Sequence, residues 1–147
     1  MSAKPTDQTP DEHRPAEPAD PTGRQALPEA PCVEMSEGVA RYVMALFDLN
    51  HEGKPPTQAR LARELEVSQP SALQMVRRIR EMGLISPDDL SLTPQGMSAA
   101  LVLTSRRTAA RDLTHEVLGL DPAEAQAEAE HLASSATPAF GRKLVAW

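Results

Sequence analysis

The apolar residues of the first regular segment recur at helical spacing. After Ser36, a residue type that caps helices, one stripe follows the positions i, i+4, i+7 and i+8: Val39, Val43, Leu46 and Phe47. The run from His51 to Pro56 breaks this pattern. The spacing therefore predicts an amphipathic first helix that begins near Met35.

Two short helical patterns follow. Thr57 is placed to cap a second helix, whose apolar face carries Leu61, Ala62 and Leu65. Ser68 is placed to cap a third helix, in which Pro70 is tolerated because it lies in the first turn, and Gly83 ends it. The third pattern turns Ala72, Val76 and Ile79 inward, and it turns four polar residues outward: Ser71, Gln74, Arg77 and Arg78. Two short helices joined by a tight connection predict a helix-turn-helix.

The remaining pattern predicts a small hairpin and then only helices. Two short apolar pieces, residues 84–85 and 90–92, flank the turn-forming run from Ser86 to Asp89. Thr93-Pro94, Asp121-Pro122 and Thr137-Pro138 each resemble the start of a helix, the first running to about Leu118. The predicted fold is mostly α: a winged helix-turn-helix with a β-hairpin wing, followed by a helical dimerisation domain. The predicted domains are residues 1–34, 35–93 and 94–147.

Composition narrows the class of protein. Residues 1–31 hold seven of the fourteen prolines and almost no large apolar side chain, so residues 1–34 are predicted to be a disordered tail. The single cysteine, Cys32, excludes an intrachain disulfide framework. No apolar run is long enough to cross a bilayer and no signal peptide is evident. We therefore expect a cytoplasmic protein with no membrane partner.

Charge points to a nucleic-acid partner. The whole chain carries −6, but residues 54–84 carry +3 and the other segments together carry −9. A phosphate polyanion binds where positive charge is concentrated on one face. On the third helix Gln74 suits adenine, the two serines Ser68 and Ser71 suit phosphate or base edges, and the arginines suit phosphate or guanine.

Several stretches resemble the DtxR/MntR family of winged-helix regulators (diphtheria toxin repressor and manganese transport regulator). The resemblance lies in residues 42–49, residues 60–71, Gly83-Leu84-Ile85 leading to residues 92–96, and residues 117–121. It implies a homodimeric repressor that binds a near-palindromic operator in double-stranded DNA. The resemblance and the charge pattern together predict a set of DNA contacts. These are Gln58, Arg60, Ser68, Pro70, Ser71, Gln74, Arg77 and Arg78.

The family's metal-ligand positions are mostly substituted here. Mn²⁺ or Fe²⁺ is implied by the family alone, because an ungapped match places those positions on Arg41, Met44, Arg107, Arg111, Gln126, Glu130, Ala133 and Ser134. An arginine cannot lose its proton to coordinate a cation, so the sequence requires no cofactor. The remaining candidate ligands are Glu130, His131 and His115. The hypothesis is that the guanidinium of Arg41, Arg107 or Arg111 replaces the cation and pairs with Glu130 or a neighbouring acid; an anionic effector on these arginines is the other possibility.

Other functions and surfaces stay open at this stage. No phosphate loop, nucleophile elbow or acid–base pair favours an enzyme. The alternative to a DNA-binding regulator is a protein-interaction module on a winged-helix scaffold. Asp88 and Asp89 predict a weak contact between the wing and DNA. The residues available for a dimer surface or for an internal core are Leu113, Val117, Leu118, Leu132, Phe140, Leu144 and Trp147.

Overall fold

The computed structural model describes residues 35–147. The predicted tail and Cys32 lie outside these residues. The predicted helix-turn-helix is present as three helices: α1 spans Glu37–His51, α2 spans Gln58–Glu64 and α3 spans Gln69–Glu81. Each begins after its predicted cap, since Ser36, Thr57 and Ser68 each accept a hydrogen bond from the backbone N–H three residues on.

The wing is a minimal hairpin. One antiparallel bridge joins Ile85 to Leu92, and Thr93 N donates to Leu84 O at 3.0 Å. The two strand-like pieces are therefore present, but they pair over a single bridge instead of a ladder. Gly83, in the left-handed region with φ +74°, turns the chain from α3 into this hairpin.

Three helices complete the described chain. α4 spans Pro94–Asp112, α5 spans Pro122–Ser135 and α6 spans Pro138–Ala146. The sequence predicted that α4 would continue to about Leu118, but the regular helix ends at Asp112 and a wider π-helical turn occupies Leu113–Val117. The buried Thr114 hydroxyl of this turn donates to Ala110 O in the last turn of α4 at 2.8 Å, so this buried polar group has a hydrogen-bond partner.

The larger core is built around α1. It joins α1 residues such as Val43 and Leu46 to the inner faces of α2 and α3, to the hairpin and to α4. Because it includes Ala100 and Leu103 as well as Ala133, this core contains residues on both sides of the predicted boundary between 93 and 94. That boundary stays a prediction. No helix in the part of the chain that the structure describes is long and apolar enough to cross a membrane.

A smaller core closes the C-terminal end. It contains Ala110, Ala129 and Leu144, with Leu113 and Leu132 packed against it. Three of the residues considered for a dimer surface, Leu113, Leu132 and Leu144, therefore pack inside the protomer. The other four are exposed: Val117, Leu118, Phe140 and Trp147.

Candidate nucleic-acid interface and the ion pair behind it

The third helix presents one polar face to solvent. Ala72, Val76 and Ile79 are fully buried, which fixes the rotation of α3 about its axis. Gln74, Arg77 and Arg78 are all exposed on the other side. The structure therefore brings together the three side chains that the sequence predicted as the main DNA contacts. These three side chains span about one turn of the helix, and a helix of this kind fits the major groove.

The start of α3 is open to an anion. Ser68 Oγ accepts from Ser71 N at 3.3 Å and donates to Ser71 Oγ at 2.9 Å, and both residues are exposed. Pro70 is exposed in the same turn, which contains no acidic residue. Free backbone N–H groups at a helix start carry partial positive charge. This end of α3 is consequently compatible with a phosphate group.

The predicted contacts on α2 differ from one another. Gln58 is exposed, whereas Arg60 is half-buried and its Nη1 donates to Pro55 O at 2.6 Å. One edge of the Arg60 guanidinium is thus hydrogen-bonded within the protein. Sequence reasoning missed this because the bond closes a loop whose conformation depends on Pro55 and Pro56.

The candidate metal ligands do not converge. His115 Nδ1 lies 2.9 Å from Leu120 O, and His131 Nδ1 lies 3.7 Å from a carboxylate oxygen of Glu37. Glu130 instead accepts from Gln126 Nε2 at 2.7 Å and contacts Arg107. Within residues 35–147, no three histidine, cysteine, aspartate or glutamate side chains stand close enough to hold a metal ion. The residues present do not fit the transition-metal site that the family resemblance implies.

Arg107, one of the three arginines considered as a replacement for the cation, contacts carboxylates on two other helices. Arg107 on α4 makes a bidentate pair with Asp48 on α1, with Nη1–Oδ2 at 2.7 Å and Nη2–Oδ1 at 2.8 Å. Its Nη1 also lies 3.3 Å from Glu130 Oε1 on α5. One side chain therefore links three helices through charge-assisted hydrogen bonds.

The electrostatics of this link favour the charged arginine. Only 17% of the Arg107 side chain is exposed. Its hydrogen bond with Asp48 raises its pKa above the ordinary value and outweighs burial, which acts in the opposite direction; Glu130 raises it further. Arg107 accordingly behaves as a permanent internal cation.

The other two arginines of the hypothesis do not share this position. Arg111 Nη2 contacts its neighbour Asp112 at 3.3 Å, and Arg41 is exposed on α1. Asp48 was missed by the sequence reasoning. A signal was available, because Asp48 follows Arg41 by two helical turns and therefore lies on the same face of α1.

Comparison with known proteins agrees with this fold. Residues 34–88 match the family described as iron dependent repressor, N-terminal DNA binding domain. The chain is 36% identical to the diphtheria toxin repressor of Corynebacterium glutamicum over 99 residues, which cover 63% of this chain and 43% of that protein. It is 33% identical over 107 residues to the iron-dependent repressor IdeR of Mycobacterium tuberculosis, covering 69% of this chain and 46% of that protein.

Solved structures show the same architecture. The described chain resembles a manganese-dependent transcriptional repressor in complex with manganese, with a TM-score of 0.64 and 24% identity, over 74% of this chain and 51% of that one. It also resembles the manganese regulator SloR, with a TM-score of 0.62 and 20% identity, over 72% of this chain and 51% of that one. The chain spans less than half the length of the two curated relatives. At these identities the structures establish the shared fold.

Proposed function

We infer that this chain belongs to the DtxR/MntR family of winged-helix regulators, binds double-stranded DNA and regulates transcription. Residues 34–88 match the DNA-binding domain of iron-dependent repressors, and two curated repressors are 33–36% identical over the aligned part of the chain. The observation that carries this proposal is the exposed face of α3 formed by Gln74, Arg77 and Arg78. Its opposite face is locked into the core, so the exposed face has a fixed orientation. A fixed polar helix face is what insertion into a major groove requires.

Each side chain of this face has a chemical task in the proposal. Gln74 pairs with an adenine edge through its amide, and Arg77 and Arg78 bind phosphate or guanine. The start of α3 approaches the phosphate backbone of the DNA through Ser68, Pro70 and Ser71. Gln58 and the free edge of Arg60 supply flanking contacts from α2.

The proposed active species is a homodimer on a near-palindromic operator. The exposed apolar side chains Val117, Leu118, Phe140 and Trp147 support this proposal, because each is at least 45% exposed in the protomer and all lie in the C-terminal third. The two α3 helices of the dimer, related by a twofold axis, would bind half-sites that lie about one turn of the DNA helix, or a multiple of it, apart. Repression is the proposed direction of regulation.

The decisive experiment is a salt titration of duplex binding. The variant Gln74→Ala/Arg77→Ala/Arg78→Ala is compared with Arg142→Ala/Lys143→Ala, which removes the same number of cations from exposed positions on α6. Each phosphate contact contributes about −0.9 to the slope of log affinity against log salt. We expect the α3 variant to lose most affinity and to flatten the slope by roughly two per protomer, while the control retains both. Equal behaviour of the two variants would end the proposal.

We further propose that no metal ion is needed to hold α3 in the orientation that binds DNA. Arg107 joins α1 to α4 and α5, and α1 packs directly on α2 and α3. A bidentate arginine–carboxylate pair fixes distance and angle in the way that a bound cation would. Arg107→Met should therefore weaken operator binding, whereas Arg111→Met, which removes an exposed arginine from the same helix, should not. If both variants bind equally well, Arg107 has no role in DNA binding.

A further inference from the structure

The two strands of the wing share too few hydrogen bonds to fix the angle between the wing and α3. Its two pieces meet at the Ile85–Leu92 bridge, flanked by the bond from Ser86 N to Ser91 O at 2.9 Å. An isolated two-stranded hairpin is marginally stable at best in water. The turn of residues 86–91 therefore depends on contacts from elsewhere in the molecule.

Arg80, in the last turn of α3, supplies such a contact. Its Nε donates to Ser86 O at 3.1 Å and its Nη2 donates to Asp89 O at 3.4 Å. These two carbonyls belong to residues three positions apart in the turn, and one planar guanidinium bridges them. Arg80 is half-buried, whereas Arg77 and Arg78 are exposed.

The turn's other side-chain bonds are local to it. Asp89 Oδ1 accepts from Ser91 N at 2.8 Å and from the Ser91 hydroxyl, and Ser86 Oγ accepts from Asp88 N at 3.2 Å. These bonds shape the turn without attaching it to a helix. Among the side-chain hydrogen bonds of residues 35–147, those of Arg80 join the turn to α3.

We propose that Arg80 is a positioning residue that holds the wing at a fixed angle to α3 and does not bind DNA phosphate. The cations of α3 then divide into two kinds, with Arg77 and Arg78 directed to the duplex and Arg80 directed to the wing. The assignment rests on the proposed function for its effect on DNA binding. The contact between Arg80 and the wing exists in the free protein and can be tested without DNA.

Substitution by lysine separates the two roles. A lysine keeps the positive charge, which is sufficient for a phosphate contact, but its single ammonium cannot span two carbonyls as a guanidinium does. We therefore compare Arg80→Lys and Arg80→Ala with the matched pair Arg78→Lys and Arg78→Ala in the full chain. The duplex probe is the sequence that the unaltered protein enriches from random-sequence DNA.

Amide hydrogen exchange of Ser86 and Ser91 in the free protein is the first measurement. Loss of a charge-assisted hydrogen bond should accelerate it by about tenfold in both Arg80 variants and leave it unchanged in both Arg78 variants. Unchanged exchange in the Arg80 variants would overturn the proposal.

Duplex affinity across a salt series is the second measurement. Both Arg80 variants should lose at least about threefold in affinity with an unchanged salt slope, whereas Arg78→Ala should flatten the slope by about 0.9 per protomer. Full rescue by Arg80→Lys, or a flatter slope in Arg80→Ala, would show that Arg80 binds phosphate and would overturn the proposal. If neither Arg78→Ala nor Arg80→Ala weakens binding, the proposed function fails, and the exchange data still decide whether Arg80 holds the wing.

Discussion

Breaking the pair between Arg107 and Asp48 should destabilise the protein measurably. Arg107→Met keeps most of the buried side-chain stem and removes the guanidinium, and Asp48→Asn removes the charge of the carboxylate with little change in shape. Since the guanidinium connects α1, α4 and α5, its loss removes the bidentate pair and the contact with Glu130 together.

The exposure of the three side chains sets the magnitude. Fully exposed ion pairs contribute about 0–1 kcal/mol, and breaking a buried pair costs about 3–5 kcal/mol. The Arg107 side chain is 17% exposed, but Asp48 is 39% and Glu130 41% exposed, so water can hydrate both carboxylates when the arginine is removed. We therefore expect a coupling energy of about 1–2 kcal/mol, which corresponds to a fall in Tm of roughly 4–10 °C for an ordered region of this size.

A double-mutant cycle measured by urea unfolding near neutral pH tests this value. The matched control is the cycle of Arg111→Met and Asp112→Asn, whose side chains are 50% and 43% exposed and meet at 3.3 Å. We expect a coupling below about 0.5 kcal/mol for the control. A coupling equally small for Arg107 and Asp48 would refute the reasoning, because the pair would then not hold the helices together.

Three further predictions concern the wing, the fold and pH. Gly96→Ala should destabilise the protein by about 1–3 kcal/mol in urea unfolding, because the added Cβ would overlap the Leu84 carbonyl oxygen at the base of the wing. Asp88→Asn should tighten nonspecific duplex binding at low salt by about twofold, since it removes an exposed negative charge next to the proposed DNA surface. Hydrogen bonds from Glu124 N and Ala123 N lower the pKa of Asp121 below its ordinary value of 3.8, so its stabilising contribution should be present above that pH and disappear as the pH falls through the lowered pKa. The Asp121→Asn variant keeps a capping oxygen without a titrating charge. Its Tm should accordingly vary less with pH over that acidic range than the Tm of the unaltered protein.

The controls for these predictions use the same elements. Ser98→Ala lies on the exposed face of α4 and should leave stability nearly unchanged, so an equal loss in both α4 variants would contradict the packing argument for Gly96. Glu116→Gln, which removes an exposed acid after the end of α4, should not alter duplex binding. Identical acid profiles for Asp121→Asn and the unaltered protein would show that the Asp121 carboxylate does not stabilise α5 through its charge.

Local signals were sufficient to predict most of the fold. The starts of the six α-helices within residues 35–147 follow from a capping side chain, and for α5 from the reciprocal capping box of Asp121 and Glu124. The rotation of α3 follows from the spacing of its apolar residues. These features depend on residues within one or two turns of each other, so the sequence contains the information needed to predict them.

Features that depend on packing between distant segments were not predictable in detail. The sequence analysis proposed three arginines as candidates to replace the metal ion. Selecting Arg107 among them required the register of α4 against α1, because its partner Asp48 is 59 residues away in the sequence. The internal position of Leu113, Leu132 and Leu144 has the same origin, as does the engagement of Arg60 and Arg80 by backbone carbonyls. Side-chain type indicated the chemistry, and tertiary packing selected the partner.

In the proposed function, the protein binds duplex DNA through α3 while Arg107, and no metal ion, holds its helices in the binding geometry. It is tested most directly by titrating the enriched duplex with protein before and after treatment with EDTA, with the metal content measured by elemental analysis. We expect the same affinity in both titrations, and no gain when Mn(II) or Fe(II) is added. Loss of binding in EDTA that either metal restores would contradict the account.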